Sequence, residues 1–286
     1  MTMSRERVET AIFRVLRVLG LLFFGFISIF PFYWMLVLSF RPLESVLREP
    51  GRLYPRWAEI SAMEPYRGVL FEQGFGRFVL NSAMVAISTM LLTLLLAVLG
   101  SYAVSRLRFR GRGLVSGGIL LVYMFPAIVL AIPLFVFFTM IGLRGSLVGL
   151  ILVYIAQTVP VTVYMLRNYF ETVPQSVEEA AAIDGCSRLS TIWRVVLPLS
   201  KPALMATGLY AFMIAWNEFL FALLFLVDHR ESWTVSLGLS QLAGSIEIPT
   251  TVLMAGSVVL TLPIVIVFFA SERLLTEGLT AGAEKG

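Results

Sequence analysis

An all-α membrane protein with six transmembrane helices is the fold class that three observations predict. Of the 286 residues, 58% are hydrophobic and only 14% charged, and the mean hydropathy is +0.87, well above that of a soluble globular domain. Several apolar runs reach roughly 20 residues, enough for a helix rising 1.5 Å per residue to cross a hydrocarbon core about 30 Å thick; transmembrane barrels show no such runs. Only Lys201 and Lys285 among the 22 basic residues are lysine, so the net charge of +4 is carried by arginines at loop and helix ends. That is a topology signal rather than a nucleic-acid-binding one.

The elements follow in order. Residues 1–17 carry Arg5, Arg7, Arg14 and Arg17 ahead of an apolar run from Val18 to Phe40. The run is too long for a signal peptide, holds Pro31 in its middle and lacks a small-residue cleavage site, which predicts an uncleaved first span with a cytoplasmic N-terminus. Residues 41–77 form a polar outer segment of mixed charge, broken by Pro42, Pro50, Pro55 and Pro65 into an irregular loop or short surface helices. Spans two, three and four are expected over Phe78–Val104, Leu114–Ile141 and Leu147–Leu166. A polar stretch over 167–201 follows, then span five over Pro202–Val227, a loop to Pro249 and span six over Thr250–Leu274. The transmembrane domain thus covers 18–274, and 275–286 is a cytoplasmic tail. With both ends inside, Arg106, Arg108, Arg110 and Arg112 fall in one inner loop, and Arg167, Arg188, Arg194 and Lys201 in the other. The short outer loops hold only Arg144 and Arg230, as the positive-inside rule requires. The first outer loop departs from the rule, with six arginines interleaved with Glu44, Glu49, Glu59, Glu64 and Glu72.

Several chemistries are missing. Neither lysine sits in a glycine-rich phosphate loop, so the chain has no nucleotide engine of its own. There is no Gly-x-Ser-x-Gly elbow and no His-Glu-x-x-His. The only histidine is His229 and the only cysteine Cys186, which excludes an intrachain disulfide and a Cys/His metal site and argues against an enzyme. Charges within membrane helices mark ion or proton paths, and the single candidate is Glu218, roughly 24 Å along the fifth span at 1.5 Å per residue. It fits an interfacial carboxylate or one bonded to a neighbouring helix as well as it fits a substrate contact. In the fourth span Gln157, Thr158 and Pro160 form a polar notch that reads first as helix pairing. Gln157, Asn217 and Glu218 are the candidates for a translocation pathway. Pro31, Pro126, Pro133 and Pro263 are candidate kinks, and the pairs Gly113/Gly117 and Gly145/Gly149 are weak packing signals. A secondary transporter would be expected to hold several buried carboxylates and more than six helices.

The 167–201 stretch is the one long polar interruption in the second half. Ser176 with Glu179 reads as a capping box, so a short helix is expected to start near Ser176, run through the alanines and stop at Gly185. A bundle with no engine, no ion relay and one helical projection points to half of a pore driven from outside through that projection.

Here Glu179-Ala180-Ala181, then Gly185 and, after a further stretch, Leu197-Pro198 resemble the Glu-Ala-Ala signature of the membrane subunits of binding-protein-dependent ABC importers, with Val195 in place of isoleucine. Trp216-Asn217-Glu218-Phe219 and the closing Gly278-Leu279-Thr280-Ala281-Gly282 are similar to the carbohydrate-uptake branch, in particular the maltose-transporter-type second permease subunit. The likeness covers nearly the whole chain. It implies a sugar or oligosaccharide importer in a prokaryotic inner membrane, with a second, different permease subunit, two copies of a cytoplasmic ATPase subunit, an extracytoplasmic sugar-binding protein and no nucleic acid. It also implies no cofactor in this chain, ATP and Mg being bound by the ATPase subunits. Glu178, Glu179, Ala180, Ala181, Asp184, Gly185, Leu197 and Pro198 would form the ATPase-coupling element, with a second helix over Ser187–Val196. The 228–249 loop would touch the binding protein, and the tail would reach between the ATPases. A glycerol phosphate or other organic-solute importer is the alternative, and a small-solute channel or a scaffold for another membrane enzyme is the reading outside this class.

Overall fold

The computed structural model describes residues 5–283, which are helical with no strand among them. Met1–Ser4 and Glu284–Gly286 lie outside the described residues, so Lys285 and the end of the expected 275–286 tail do too. Two compact units divide the described chain: one formed by Met1–Gly74 and Leu242–Val259, the other by Phe75–Gln241 and Leu260–Gly286.

The first unit opens with α1 (Arg5–Phe40), which is mostly exposed over 12–33, buries Val37 and Ser39 near its end and accommodates Pro31 without breaking. The 41–74 segment is folded into α2 (Leu43–Arg48), α3 (Trp57–Ala62) and α4 (Glu64–Arg67), the last continued by a π-helical turn over Gly68–Glu72. Its charges are used internally. Arg41 is fully buried and donates to the carbonyls of Arg52 (3.0 Å), Ser45 (2.9 Å) and Glu49 (2.7 Å). The Ser45 and Glu49 carbonyls also accept from the Glu49 (3.1 Å) and Arg52 (3.3 Å) amides, so the charged fork reinforces these turns and ties them to the Arg52 carbonyl. Glu59 accepts from Ser45 Oγ (2.5 Å), Arg52 Nη2 (2.5 Å) and the Arg56 amide (2.6 Å), while Arg56 pairs with Glu49.

Burial pushes the Glu59 carboxyl up, but the hydrogen bonds from Ser45, Arg56 and Arg52 outweigh it, so its pKa lies below the ordinary 4.5. A lowered folded pKa adds stability that is present above the unfolded value and lost as pH falls through the folded one. Hydrogen exchange of the 45–62 amides, corrected for intrinsic rates, should therefore stay flat from pH 7 to 5 and accelerate below 4. Glu59→Gln should raise exchange at pH 7 and remove the acid step. A step between pH 5 and 7 would show that another group controls the segment.

The second unit is built on α5 (Phe75–Arg106), α8 (Leu147–Thr172) and α12 (Lys201–Asn217). Thr93 and Thr158 share a buried hydrogen bond of 2.7 Å between α5 and α8, so the Thr158 part of the polar notch does pair helices. Towards one end Ala97, Val98, Tyr102, Val163, Leu166 and Phe170 pack with Ile192 and Val196. At the other end Ser146 caps α8 by accepting from the Val148 amide (3.1 Å). Gly145, at φ +77°, donates its amide to Phe225 and lies so close to the His229 ring that a Cβ would stand 2.4 Å from it. The Gly145/Gly149 pair thus marks close approach, whereas Gly113 and Gly117 face open space.

Two expected spans are not single helices. The third divides into α6 (Arg112–Met124) and α7 (Ala127–Met140), because Pro126 has no N–H to continue the ladder and Phe125 takes extended backbone. The fifth divides at Glu218 into α12 and α13 (Leu220–Leu226). A short α14 (Val235–Ala243) precedes α15 (Thr250–Ala283), which stays helical past the expected end at Leu274 and through Pro263. Among the described residues, four helices are long and apolar enough to cross a membrane: Ile12–Phe40, Phe75–Arg106, Leu147–Thr172 and Thr250–Glu272. A fifth candidate joins Arg188–Leu199 to Lys201–Asn217 across an 87° bend.

Candidate functional site

The polar stretch between α8 and α12 is built from its prolines and its glycine. Val173 is extended before Pro174, as a residue preceding proline prefers, and α8 ends there. Helix α9 spans Gln175–Ile183 with Pro174 at its N-cap and no side-chain cap. The expected capping box is therefore not formed: the proline takes the N-cap two residues ahead of Ser176, which puts Ser176 inside the first turn rather than at its cap. The other end is as expected. Cys186 N–H bonds the Ala181 carbonyl (2.9 Å) and Gly185 N–H the Ala182 carbonyl (3.1 Å), with Gly185 at φ +82°: a Schellman stop that a left-handed glycine closes without strain.

Helix α9 has two faces. Ala181 is buried and Glu178 half-buried, three residues apart on one side. Glu179, Ala180, Asp184 and Gly185 are exposed on the other, with Ile183 at 88% exposure. Of the expected coupling residues, then, Glu178 and Ala181 face inward and Glu179, Ala180, Asp184 and Gly185 outward. The inward carboxylate is tightly held: Glu178 accepts from Arg106 Nε (2.6 Å) and Tyr102 Oη (2.9 Å), and Arg106 Nη2 also donates to the carbonyls of Phe170 and Val173 (2.7 Å each). Arg106 and Tyr102 were not among the sequence candidates. The available signal was their i, i+4 spacing at the end of an apolar run, which puts both on one helix face.

After Gly185 the chain turns into α10 (Arg188–Thr191), where the Ser187 hydroxyl accepts from the Ser190 amide (3.3 Å). A π-helical turn over Ile192–Val196 and α11 (Leu197–Leu199) follow. The second helix expected over Ser187–Val196 is thus present and extends to Leu199. Ile192 and Val196 are buried, while Leu189 and Trp193 are more than half exposed on the far side. Leu197 is half-buried and Pro198 exposed. The Ser200 amide bonds the carbonyls of both Val196 and Leu197 (3.0 Å each), and there the chain bends by 87° into α12.

The pathway candidates lie elsewhere in the second unit. Glu218 sits at the break between α12 and α13, and its carboxylate accepts from the amides of Phe221 (3.0 Å) and Ala222 (3.3 Å) and from Tyr154 Oη (2.6 Å). Its carbonyl accepts from Ser236 Oγ (2.7 Å). Two amides and one carbonyl at the break are thereby given side-chain partners. Of the readings open for Glu218, the geometry has it bonded to a neighbouring helix. Gln157 lies three residues beyond Tyr154 on the same face of α8, and its buried Nε2 has no partner. Asn217 is exposed and donates back to the Met213 carbonyl (2.9 Å).

Residues 96–280, which contain all of these groups, match the family described as binding-protein-dependent transport system inner membrane component. The chain is 39% identical over 281 residues to the trehalose/maltose transport system permease protein MalG of Thermococcus litoralis, covering 97% of this chain and 99% of that one. It is 38% identical over 268 residues to the inner membrane ABC transporter permease protein YcjP of Escherichia coli, covering 93% and 95%. Among solved structures, a chain of a bacterial ABC transporter that imports the acidic polysaccharide alginate superposes with a TM-score of 0.81 at 26% identity, over 96% of this chain and 99% of that one. The chain belongs to the family of inner membrane components of binding-protein-dependent transport systems.

Proposed function

We propose that this permease imports a sugar or oligosaccharide, and that the 175–198 loop is where an ATPase subunit drives it. The chain is the membrane permease component of an ABC importer and not itself an enzyme. The observation that carries the coupling role is the outward face of the loop. Glu179, Ala180, Asp184, Ile183, Leu189 and Trp193 are exposed together, an acidic and apolar surface on a polar connection that a bundle of membrane helices does not otherwise need. Glu178, Ala181, Leu197 and Pro198 support that surface from behind. Support for a sugar comes from two proteins named above, one for trehalose and maltose and the other for alginate.

In this reading α6 and α7 together supply a third span and the bent segment a fifth, which makes six across 18–274, with 1–17 and 275–286 cytoplasmic. The 41–77 segment and the 228–249 loop then face outward, the latter towards a binding protein. One different permease subunit completes the pore and two ATPase subunits carry ATP and Mg. Gln157, with an unpartnered buried amide, is the best pathway residue, while Asn217 and Glu218 shape the break beside it.

The test is purification from native membranes in mild detergent, followed by reconstitution with the co-purifying subunits and the binding protein. ATP hydrolysis stimulated by the binding protein with maltose or trehalose, but not with glycerol phosphate, is the expected result. Stimulation by glycerol phosphate alone would overturn the sugar assignment, and absence of any ATPase partner would return the reading to a channel or scaffold.

A further inference from the structure

We infer that Arg106 is a positioning residue that locks α9 to the inner ends of α5 and α8, so that a push on the loop moves these two helices as one body with it. The inference rests on the coupling role proposed for the loop and extends it to a residue on α5. Arg106 spends its guanidinium on three acceptors from two other segments: the Glu178 carboxylate of α9 and the Phe170 and Val173 carbonyls at the end of α8. Its side chain is only 8% exposed and that of Glu178 only 12%, so water competes little for these bonds. Tyr102, one turn back on α5, fixes the second carboxylate oxygen. Phe170 lies in the last turn of α8 and Val173 caps it; the Phe170 carbonyl accepts from the Val173 amide (3.1 Å) as well as from Arg106, at a helix end where a cation is favoured. A planar fork serves all three acceptors, and a lysine ammonium would not hold them in the same geometry. The neighbouring Arg108 and Arg110 are exposed, so the lock is specific to the first arginine of the cluster. Beyond α9 the chain reaches α12 only around the 87° bend, whereas the Arg106 and Tyr102 contacts to Glu178 tie α9 directly to α5.

The test uses the complete transporter, with this permease in a Cys186→Ser background and spin labels at exposed positions 108 and 182. In the parent the label distance should be single and unchanged between nucleotide-free and ATP-trapped states. In Arg106→Gln it should broaden and shift on ATP binding, and the ratio of maltose transported to ATP hydrolysed should fall about tenfold, within the roughly 5–150-fold range of typical coupling between sites. Arg106→Lys should lie between the two. A parental distance change on ATP, or a parental ratio in Arg106→Gln, would overturn the lock. Should Arg106→Gln fail to assemble, Glu178→Gln keeps the carbonyl contacts and must show a smaller shift in the same direction; parental behaviour there counts against the inference. A coupled Arg106→Gln beside an uncoupled Glu179→Lys would remove only the lock, whereas coupling in both would remove the role of the loop itself.

Discussion

Uptake by a Gly185→Asp permease is expected to fall at least tenfold, to near background, while the protein still inserts in the membrane. Gly185 closes α9 at φ +82°, where a residue with a Cβ pays roughly 1–2 kcal/mol, aspartate being among the better tolerated. Within this chain a Cβ at that position meets nothing within 4 Å, so the substitution is not excluded by the permease's own packing. Under the coupling role proposed for this loop, the damage lies at its exposed face, where the substitution sets a second carboxylate beside Asp184. Glu179→Lys acts on the same surface by reversing an exposed charge. Both variants should reach the membrane in normal amount, retain less ATPase on affinity purification and leave residual ATP hydrolysis unresponsive to the binding protein. Vesicle uptake with parallel recovery of the ATPase checks this, and normal uptake by either variant would remove the coupling assignment.

The second large effect is on stability. Glu218→Ala should lower the thermal midpoint of the purified permease by roughly 10 °C, the equivalent of about 2–4 kcal/mol at roughly 2–4 °C per kcal/mol. Loss of the carboxylate uncaps the Phe221 and Ala222 amides at the start of α13, worth about 1 kcal/mol for a helix cap. It also strands the hydroxyl of Tyr154, a fully buried side chain, at about 1–3 kcal/mol. The separable part is the orphaned hydroxyl: Glu218→Ala with Tyr154→Phe should cost less than the two single changes added. Additive midpoints would mean that Tyr154 and Glu218 are not coupled.

Local chemistry is what the sequence carried best. The stop of α9 was readable because the turn at Gly185 closes within six residues, through Gly185 N–H to Ala182 and Cys186 N–H to Ala181. Its start was misjudged because two local signals competed, and Pro174, which fixes backbone, prevailed over Ser176, which only offers a hydroxyl. Prolines alone did not mark the breaks. Pro31, Pro133, Pro160 and Pro263 sit inside continuous helices, whereas Pro126 divides the third span, and α12 ends at Glu218 with neither proline nor glycine beside it. That break is made by a carboxylate reaching forward to two amides and across to Tyr154, 64 residues away. Arg106 is of the same kind. Its partner Glu178 is 72 positions on, and although the i, i+4 spacing to Tyr102 marks a shared face, it does not name the carboxylate that face meets.

The right-angled corner at Ser200 has a mechanical consequence. The cosine of 87° is about one-twentieth, so a displacement along the axis of Arg188–Leu199 has only that fraction directed along Lys201–Asn217. Any push that reaches Lys201–Asn217 through the corner therefore arrives sideways. The helix can swing about its far end, where Glu218 already interrupts it, but it cannot be driven like a piston. A gate worked through this corner would open by a change of tilt, with the depth of each side chain in the bilayer nearly constant.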